Sequence, residues 1–320
     1  MTTGLIEKEK YRQLCSKEPS IPIFSRDWWL DAACGEDNWQ VALIERQGKI
    51  IASMPYFIKY RMGKRILTQP SLTQRLGPWI YYQDNMKYSS RIGYEIEVMS
   101  SLVEKLPSFD LFLQIFDYEI TNWLAFYWKG FRQQTSYTYV IDDIRDPELV
   151  LSSFSRSKRN DVYKARKRVK SRFDLPAEDF YRHHVSSLAK QKKKISYSLE
   201  HFSRLYDAGY NNHAAKVVYA VDEDENITSA LFTVWDSNCA SAVLSTIDPR
   251  FKNSGSFSLL IYEMISYLGG KTRKFNFGGS TIKGVEYSYR QFGTRQVPIF
   301  SVSKTNSILI ALYNLYKQIY

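Results

Sequence analysis

Along the whole chain the spacing of apolar residues switches between a two-residue and a three-to-four-residue period, which indicates mixed strands and helices and excludes an all-helical bundle. Helical spacing is read near 5–18 and from Ser25. The stretch WQVALIERQGKIIASMPYFI then alternates at Val41, Leu43, Ile50, Ala52 and Met54, so two strands should join at Gln47-Gly48. RLGPWI (75–80) is a turn entering a strand. A helix near 87–106, a strand at 109–116, a helix near 120–129 and a strand near 136–141 complete this half. The second half repeats the order: helices near 177–191 and 199–212, strands at 215–222, 227–236 and 239–248, and a helix over 256–268. A strand at KFNFG, a helix near 282–292, a strand near 296–303 and a closing helix follow. An α/β chain of two similar domains, each of two or three layers, is the expectation. Its 320 residues suit about two domains at ~150 residues each.

Between the halves the chain is strongly basic. The net charge is +11, and residues 156–194 hold fourteen Lys and Arg against four acids, most of the excess. Within SRSKRNDVYKARKRVKSR the stripe Leu151, Phe154, Val162, Ala165 and Val169 predicts one helix buried along a single edge, its other faces basic. Such a helix is either a solvated linker or a platform for an anion: a nucleotide diphosphate, a tRNA backbone, an acidic carrier protein or an anionic membrane surface. The longest apolar runs, such as 308–313, are far shorter than the ~20 residues that span a bilayer, and the first residues are charged where a signal peptide is apolar. A cytoplasmic protein, at most peripheral to the inner membrane face, is expected.

Cys15, Cys34 and Cys239 are widely spaced, and His183, His184, His201 and His213 form no ligand pattern, so no metal is expected. Gly269-Gly270-Lys271-Thr272 resembles the end of a phosphate-binding loop, but Ile265 stands where its first glycine belongs, and a helix stop explains the pair. No G-x-G-x-x-G or G-x-S-x-G occurs, which leaves dinucleotide oxidoreductases and serine hydrolases without support. Two segments carry chemistry. The loop Asp248 to Ser256 leads from a strand into a helix, and Arg250, Lys252, Asn253, Ser254, Gly255 and Ser256 could cradle a pyrophosphate there, the alternative being an ordinary Ser/Gly-rich turn. In FNFGGSTIKGVEYSYRQFG (275–293), Glu286 and Arg290 are i, i+4 neighbours. They are a simple helix ion pair, or Arg290 stabilises an oxyanion while Glu286 orients it or accepts a proton.

The segment F-N-F-G-G-S-x-I-x-G-V-E-x-x-Y-R-Q-F-G is similar to the closing motif of the FemAB-like, two-domain branch of the GNAT acyltransferases. SLTQRLGPWI (71–80) resembles that branch's first-domain signature, SRSKRNDVYKARKR (155–168) its basic linking helix, and FTVWD with Asp248-Pro249 its second-domain strands. The resemblance implies two tandem GNAT-like domains with mixed central sheets: 1–146, a basic linking helix 147–172, and an acyltransferase domain 173–320. It implies transfer of an acyl or aminoacyl group to an amine. Tyr289 and Arg290 match the motif's aromatic–Lys pair at the reacting carbonyl, with Arg in place of Lys. Arg250 and Asn253 to Ser256 match the donor phosphate loop, in which this chain has fewer glycines. The coiled-coil arm of some Fem enzymes is missing, which points away from a lipid-linked peptidoglycan substrate.

Three functions are consistent with this reading. The first is an N-acyltransferase moving an acyl group from acyl-CoA, or a carrier thioester, to the amine of a sugar nucleotide or related surface-polysaccharide precursor. Gln74, Arg75, Trp79, Tyr287 and the basic Arg156, Lys158 and Arg159 are then expected to bind the acceptor. The second uses aminoacyl-tRNA as donor. The third is a non-catalytic module that binds RNA or an anionic glycan.

Overall fold

A computed structural model describes residues 3–307, and the chain forms two compact units, one taking residues up to 136 and from 298 on, the other Tyr137–Val297. The expected closing helix and the apolar run at 308–313 lie outside the described residues.

In the first unit α1 (Thr3–Lys17) and α2 (Asp27–Cys34) precede a hairpin of β1 (Trp39–Arg46) and β2 (Lys49–Arg61). Gln47-Gly48 is its turn, with φ of 50° and 75°, the left-handed pair that matches the twist of the flanking strands. A second such turn, Met62-Gly63, leads to β3 (Lys64–Thr68); β4 (Trp79–Ile80), α3 (Tyr88–Lys105), β5 (Leu111–Ile115) and α4 (Leu124–Trp128) follow. β3 gave no alternation signal because only Leu67 of its five residues is fully buried. β3 and β5 are parallel, while β1–β2, β2–β3 and β2–β4 are antiparallel. β1 is covered on both faces. Val41 and Leu43 pack with Tyr11, Cys15 and Leu30 of α1 and α2, whereas Ala42 packs with Val98, Met99 and Leu102 of α3. The unit is therefore three-layered, as side-chain alternation on a doubly covered strand requires.

In the second unit, β6 (Arg132–Ile141), entering from the first, is followed by α5 (Pro147–Ser153), α6 (Arg156–Ala165), β7 (Lys170–Phe173), α7 (Ala177–Ala189) and α8 (Leu199–Asn211). Strands β8 (Ala215–Val221), β9 (Ile227–Trp235) and β10 (Cys239–Ile247) then lead to α9 (Ser256–Leu268), β11 (Lys274–Asn276) and α10 (Lys283–Arg290). The last strand, β12 (Arg295–Thr305), returns to the first unit and pairs antiparallel with β5. The second unit's sheet runs β6-β11-β10-β9-β8-β7, with β10 and β11 parallel. α5, α6 and α9 pack on one face around Leu151, Phe154, Val162, Leu260 and Phe275. On α7 and α8, Phe180 packs at a tilt against Phe202, which meets Phe232 of β9 edge-on at 5.3 Å.

Residues 147–172 are not one basic linking helix. They are α5, α6 and the start of β7, and belong to the second unit. The expected buried stripe is present, but the helix stops at Ala165, where Arg166, Lys167 and Arg168 crowd three like charges into one turn. The remaining cations go to β7 at the sheet edge, where Arg172 pairs with Glu225.

α9 is apolar nearly all round because sheet and helices enclose it, and its first turn lies against α6. Gly255, at φ 78°, precedes that turn, and a Cβ there would collide with the Asp161 carbonyl oxygen. Gly255→Ala should cost roughly 2–4 kcal/mol, from left-handed strain plus overpacking. Urea unfolding would read this as a lower midpoint with an unchanged slope.

Candidate active site in the second unit

The loop from β10 to α9 is built around Asp248. Its buried carboxylate accepts hydrogen bonds from the Arg250 backbone (3.0 Å), the Arg250 guanidinium (2.9 Å) and Lys190 Nζ (2.6 Å). Burial alone would raise this carboxyl's pKa; the bonds from Arg250 and Lys190 outweigh it and hold the group well below the usual carboxylate range. Ser254 and Ser256 share a hydroxyl bond of 2.9 Å, and Ser256 is buried against Ser229. Asp161 of α6 covers Gly255, and its carboxylate lies 3.5 Å from the Ser258 hydroxyl, so the first turn of α9 is closed by protein and not open to a pyrophosphate. Open space lies beside it. A cleft of about 330 Å³ is lined by Arg168, Val169, Arg250, Phe251, Asn253 and Ser254, with Asp222 on its wall. The Asp222 carboxylate is held by the backbone and side chain of Asn226 and by the Asp224 backbone in the β8–β9 turn. Of the proposed phosphate-loop residues, Arg250, Asn253 and Ser254 thus line a cleft with the unforeseen Arg168, Lys252 is exposed outside it, and Gly255 and Ser256 serve packing.

The second cluster surrounds α10. At the end of β11, Asn276 is fully buried, and its Oδ1 accepts from the Thr138 hydroxyl (2.6 Å) and the Gly278 N–H (2.7 Å). This fixes the turn into the glycine pair; a Cβ on Gly279 would collide with the Tyr137 carbonyl. Along α10, Tyr289 faces inward against Phe277 (5.3 Å) and Tyr139 (6.1 Å), Tyr287 and Arg290 face outward, and Glu286 is half-buried between them. Burial raises the Tyr289 phenol's pKa. Tyr139 donates to Glu286 Oε1 at 3.1 Å and accepts from Gln296 Nε2 at 2.7 Å. Its own pKa is raised, by burial first and by Glu286 in addition, against the opposing bond from Gln296. The Arg290 guanidinium lies 3.7 Å from Glu286 and over the Tyr287 ring at 4.8 Å, more than half exposed. An accessible carboxylate joined to a phenol, beside a mobile-length cation, is an arrangement able to take a proton and steady developing negative charge.

The N-terminus of α6 adjoins this cluster. Ser155 bonds to Gln291 through backbone (2.8 Å), and Lys158 Nζ lies over the Phe292 ring at 4.6 Å. Burial lowers the Lys158 pKa. Arg159 instead caps α5 through the Ser152 and Phe154 carbonyls, and Arg156 is exposed. Sequence reasoning missed Tyr139 and Gln296, since strand residues supply them from places with no local motif, and it gave Asn276 no role within its own segment.

The remaining expected residues lie in the first unit. Arg75 is buried and paired with Asp117 at 3.0 Å, with Gln74 beside it, and Trp79 donates to Ser20 at 3.0 Å. These contacts tie the 71–80 turn into its own unit. Among the described residues no group of His, Cys, Asp or Glu is placed to hold a metal ion.

No protein-family model and no curated protein matches the sequence. Solved structures do match the fold. FemX aligns at 11% identity over 96% of this chain and 98% of its own, with a TM-score of 0.69. L-PGS from Bacillus licheniformis aligns at 10% identity over 96% of both chains, TM-score 0.57. The C-terminal domain (DUF2156) of a protein described as a lysylphosphatidylglycerol synthetase from Agrobacterium fabrum aligns at 13% identity over 99% of this chain and 97% of its own, TM-score 0.55. The chain therefore shares the fold of FemX and of the L-PGS-type proteins.

Asp248 yields a test of the loop. Its depressed pKa contributes stability that is present above the unfolded value near ~4 and lost as pH falls below it. Asp248→Asn should lower stability by about 1–3 kcal/mol at neutral pH. On acidification to pH ~3 the gap between variant and wild type should begin to narrow without closing, because the native carboxyl is still ionised there, as read by urea unfolding at both pH values.

Proposed function

We propose that this protein is an acyl-group transferase that moves an acyl or aminoacyl group from an anionic donor to an amine, with α10 as its chemical centre. The observation that carries this reading is the Tyr139–Glu286–Arg290 cluster, set within a fold that FemX matches over nearly its whole length. The acceptor nitrogen attacks the donor carbonyl, forming the C–N bond and a tetrahedral oxyanion. Arg290 stabilises that oxyanion, and Glu286 takes the proton leaving the nitrogen, directly or through water. Collapse breaks the donor's C–S or C–O bond, and the leaving thiolate or alkoxide takes up the proton from Glu286. Tyr139 holds Glu286 in place, and the cleft between Arg168 and Arg250 holds a phosphate of the donor.

Two donors fit this chemistry. Acyl-CoA, with an amino-sugar nucleotide or polysaccharide precursor as acceptor, is one reading; an acyl-carrier protein would supply the same thioester. The covered first turn of α9 leaves CoA only the Arg168–Arg250 cleft for its pyrophosphate. Aminoacyl-tRNA is the reading that this closure and the exposed cations of α6 favour, and it agrees with the Fem-type motif around Tyr289 and Arg290.

Calorimetric titration with CoA, acetyl-CoA and an aminoacyl-tRNA at low and moderate salt separates them. The aminoacyl-tRNA reading expects tRNA affinity that falls steeply with salt, and a loss of roughly tenfold in Arg168→Ala/Arg250→Ala. Saturable CoA binding with no tRNA binding would select the thioester donor, and absence of binding by CoA, tRNA and an acylated carrier protein alike would overturn the transferase reading. In either case Arg290→Ala should reduce turnover by about 100-fold or more while donor binding persists.

A further inference from the structure

The first unit presents a feature that the transfer chemistry does not use. The turn joining β2 to β3 is Met62-Gly63, with φ of 51° and 70°. Its first position favours Asn, Asp or Gly, and a methionine held there is strained. Yet Met62 is 93% exposed and packs on nothing. Tyr60 beside it is 63% exposed. An unbranched apolar side chain kept in a costly conformation at the apex of a hairpin contributes nothing to the fold.

The residues around this apex are cationic. Lys59 and Arg61 are exposed and have no acidic partner among the described residues. Arg65 bonds to the Tyr60 hydroxyl at 3.1 Å, and Lys64 pairs with Asp110 at 3.1 Å. Strand register brings a second apolar anchor to the same end of the sheet. β3 begins at Lys64 beside the start of β5, and Leu111 of β5 is opposite Thr305 at the end of β12. Lys304 of β12 donates to the Lys129 carbonyl at 2.7 Å, immediately after α4, where Trp128 is 62% and Tyr127 58% exposed. Two interstrand steps of ~4.8 Å separate β3 from β12, so the anchors stand about 10 Å or more apart on one edge. Glu104, paired with Lys129, and Asp110 are the acids found there, against six cations.

From this juxtaposition we propose that this end of the first unit docks on the surface of an anionic phospholipid bilayer, with Met62 and Trp128 entering the interface and Lys59, Arg61 and Lys304 at the level of the lipid phosphates. The chemistry fits a bilayer: exposed apolar side chains stand among cations, a combination that matches an anionic headgroup layer lying over hydrocarbon. A polynucleotide would use the cations but gain nothing from an exposed methionine. The contact is peripheral, since no helix among the described residues is long and apolar enough to cross a membrane. It is also separate from the basic stretch 156–194, which belongs to the other unit.

Co-sedimentation of the whole protein with vesicles of phosphatidylcholine, alone or mixed with phosphatidylglycerol, tests this at low and high salt. Binding should require phosphatidylglycerol and weaken with salt. Lys59→Glu/Arg61→Glu should weaken it at least about tenfold. Met62→Asn, which suits the left-handed turn and leaves folding intact, should weaken it by roughly threefold or more. Equal binding to neutral vesicles, or unchanged binding of both variants, would each overturn the proposal.

Discussion

The second unit depends on backbone lying against glycine at two points. The Asp161 carbonyl of α6 occupies the space a Cβ would take on Gly255, and the Tyr137 carbonyl of β6 does the same at Gly279. One contact presses α6 onto the first turn of α9, the other fixes β6 against the loop that starts α10. Since packed interiors have no slack, both segments of the candidate site are placed by main chain and not by adjustable side chains. The same constraint limits what α9 can do: its first turn is used in holding α6, which leaves the cations lining the neighbouring cleft as the proposed place for an anion.

Much of this fold is readable from residues alone. The hairpin at Gln47-Gly48, the three strands before α9 and the bounds of α9 itself follow from period and turn chemistry, because each is a locally consistent run buried by its neighbours. The failures are equally local. β3 is hidden by its charges, and a basic run without acids reads as one helix when it is a helix, a turn and an edge strand. A helical stripe continues smoothly through Val169, and nothing in the spacing reveals that a sheet edge claims the next four residues.

The candidate site was legible in part. Glu286, Tyr289 and Arg290 belong to one short segment, so their grouping on α10 was visible, as was the loop around Arg250. What spacing cannot reveal is long-range company: Tyr139 reaches Glu286 across 147 positions, and Thr138 reaches Asn276 across 138. Gly255 shows the converse error. A glycine before a helix suggests room for a ligand, whereas here the room is filled by protein. Arg75, expected to meet substrate, forms a deep ion pair with Asp117 that anchors the 71–80 turn.

The account rests on α10 being a place where an acyl group changes hands. The measurement that bears on this most directly is mass spectrometry of a panel of amines, amino sugars and amino-sugar nucleotides among them, after incubation with protein and either acetyl-CoA or aminoacyl-tRNA. One amine should gain the mass of a single acyl or aminoacyl group with wild type and not with Glu286→Gln. Binding of a donor with no mass gain on any amine, or equal transfer by Glu286→Gln, would contradict it.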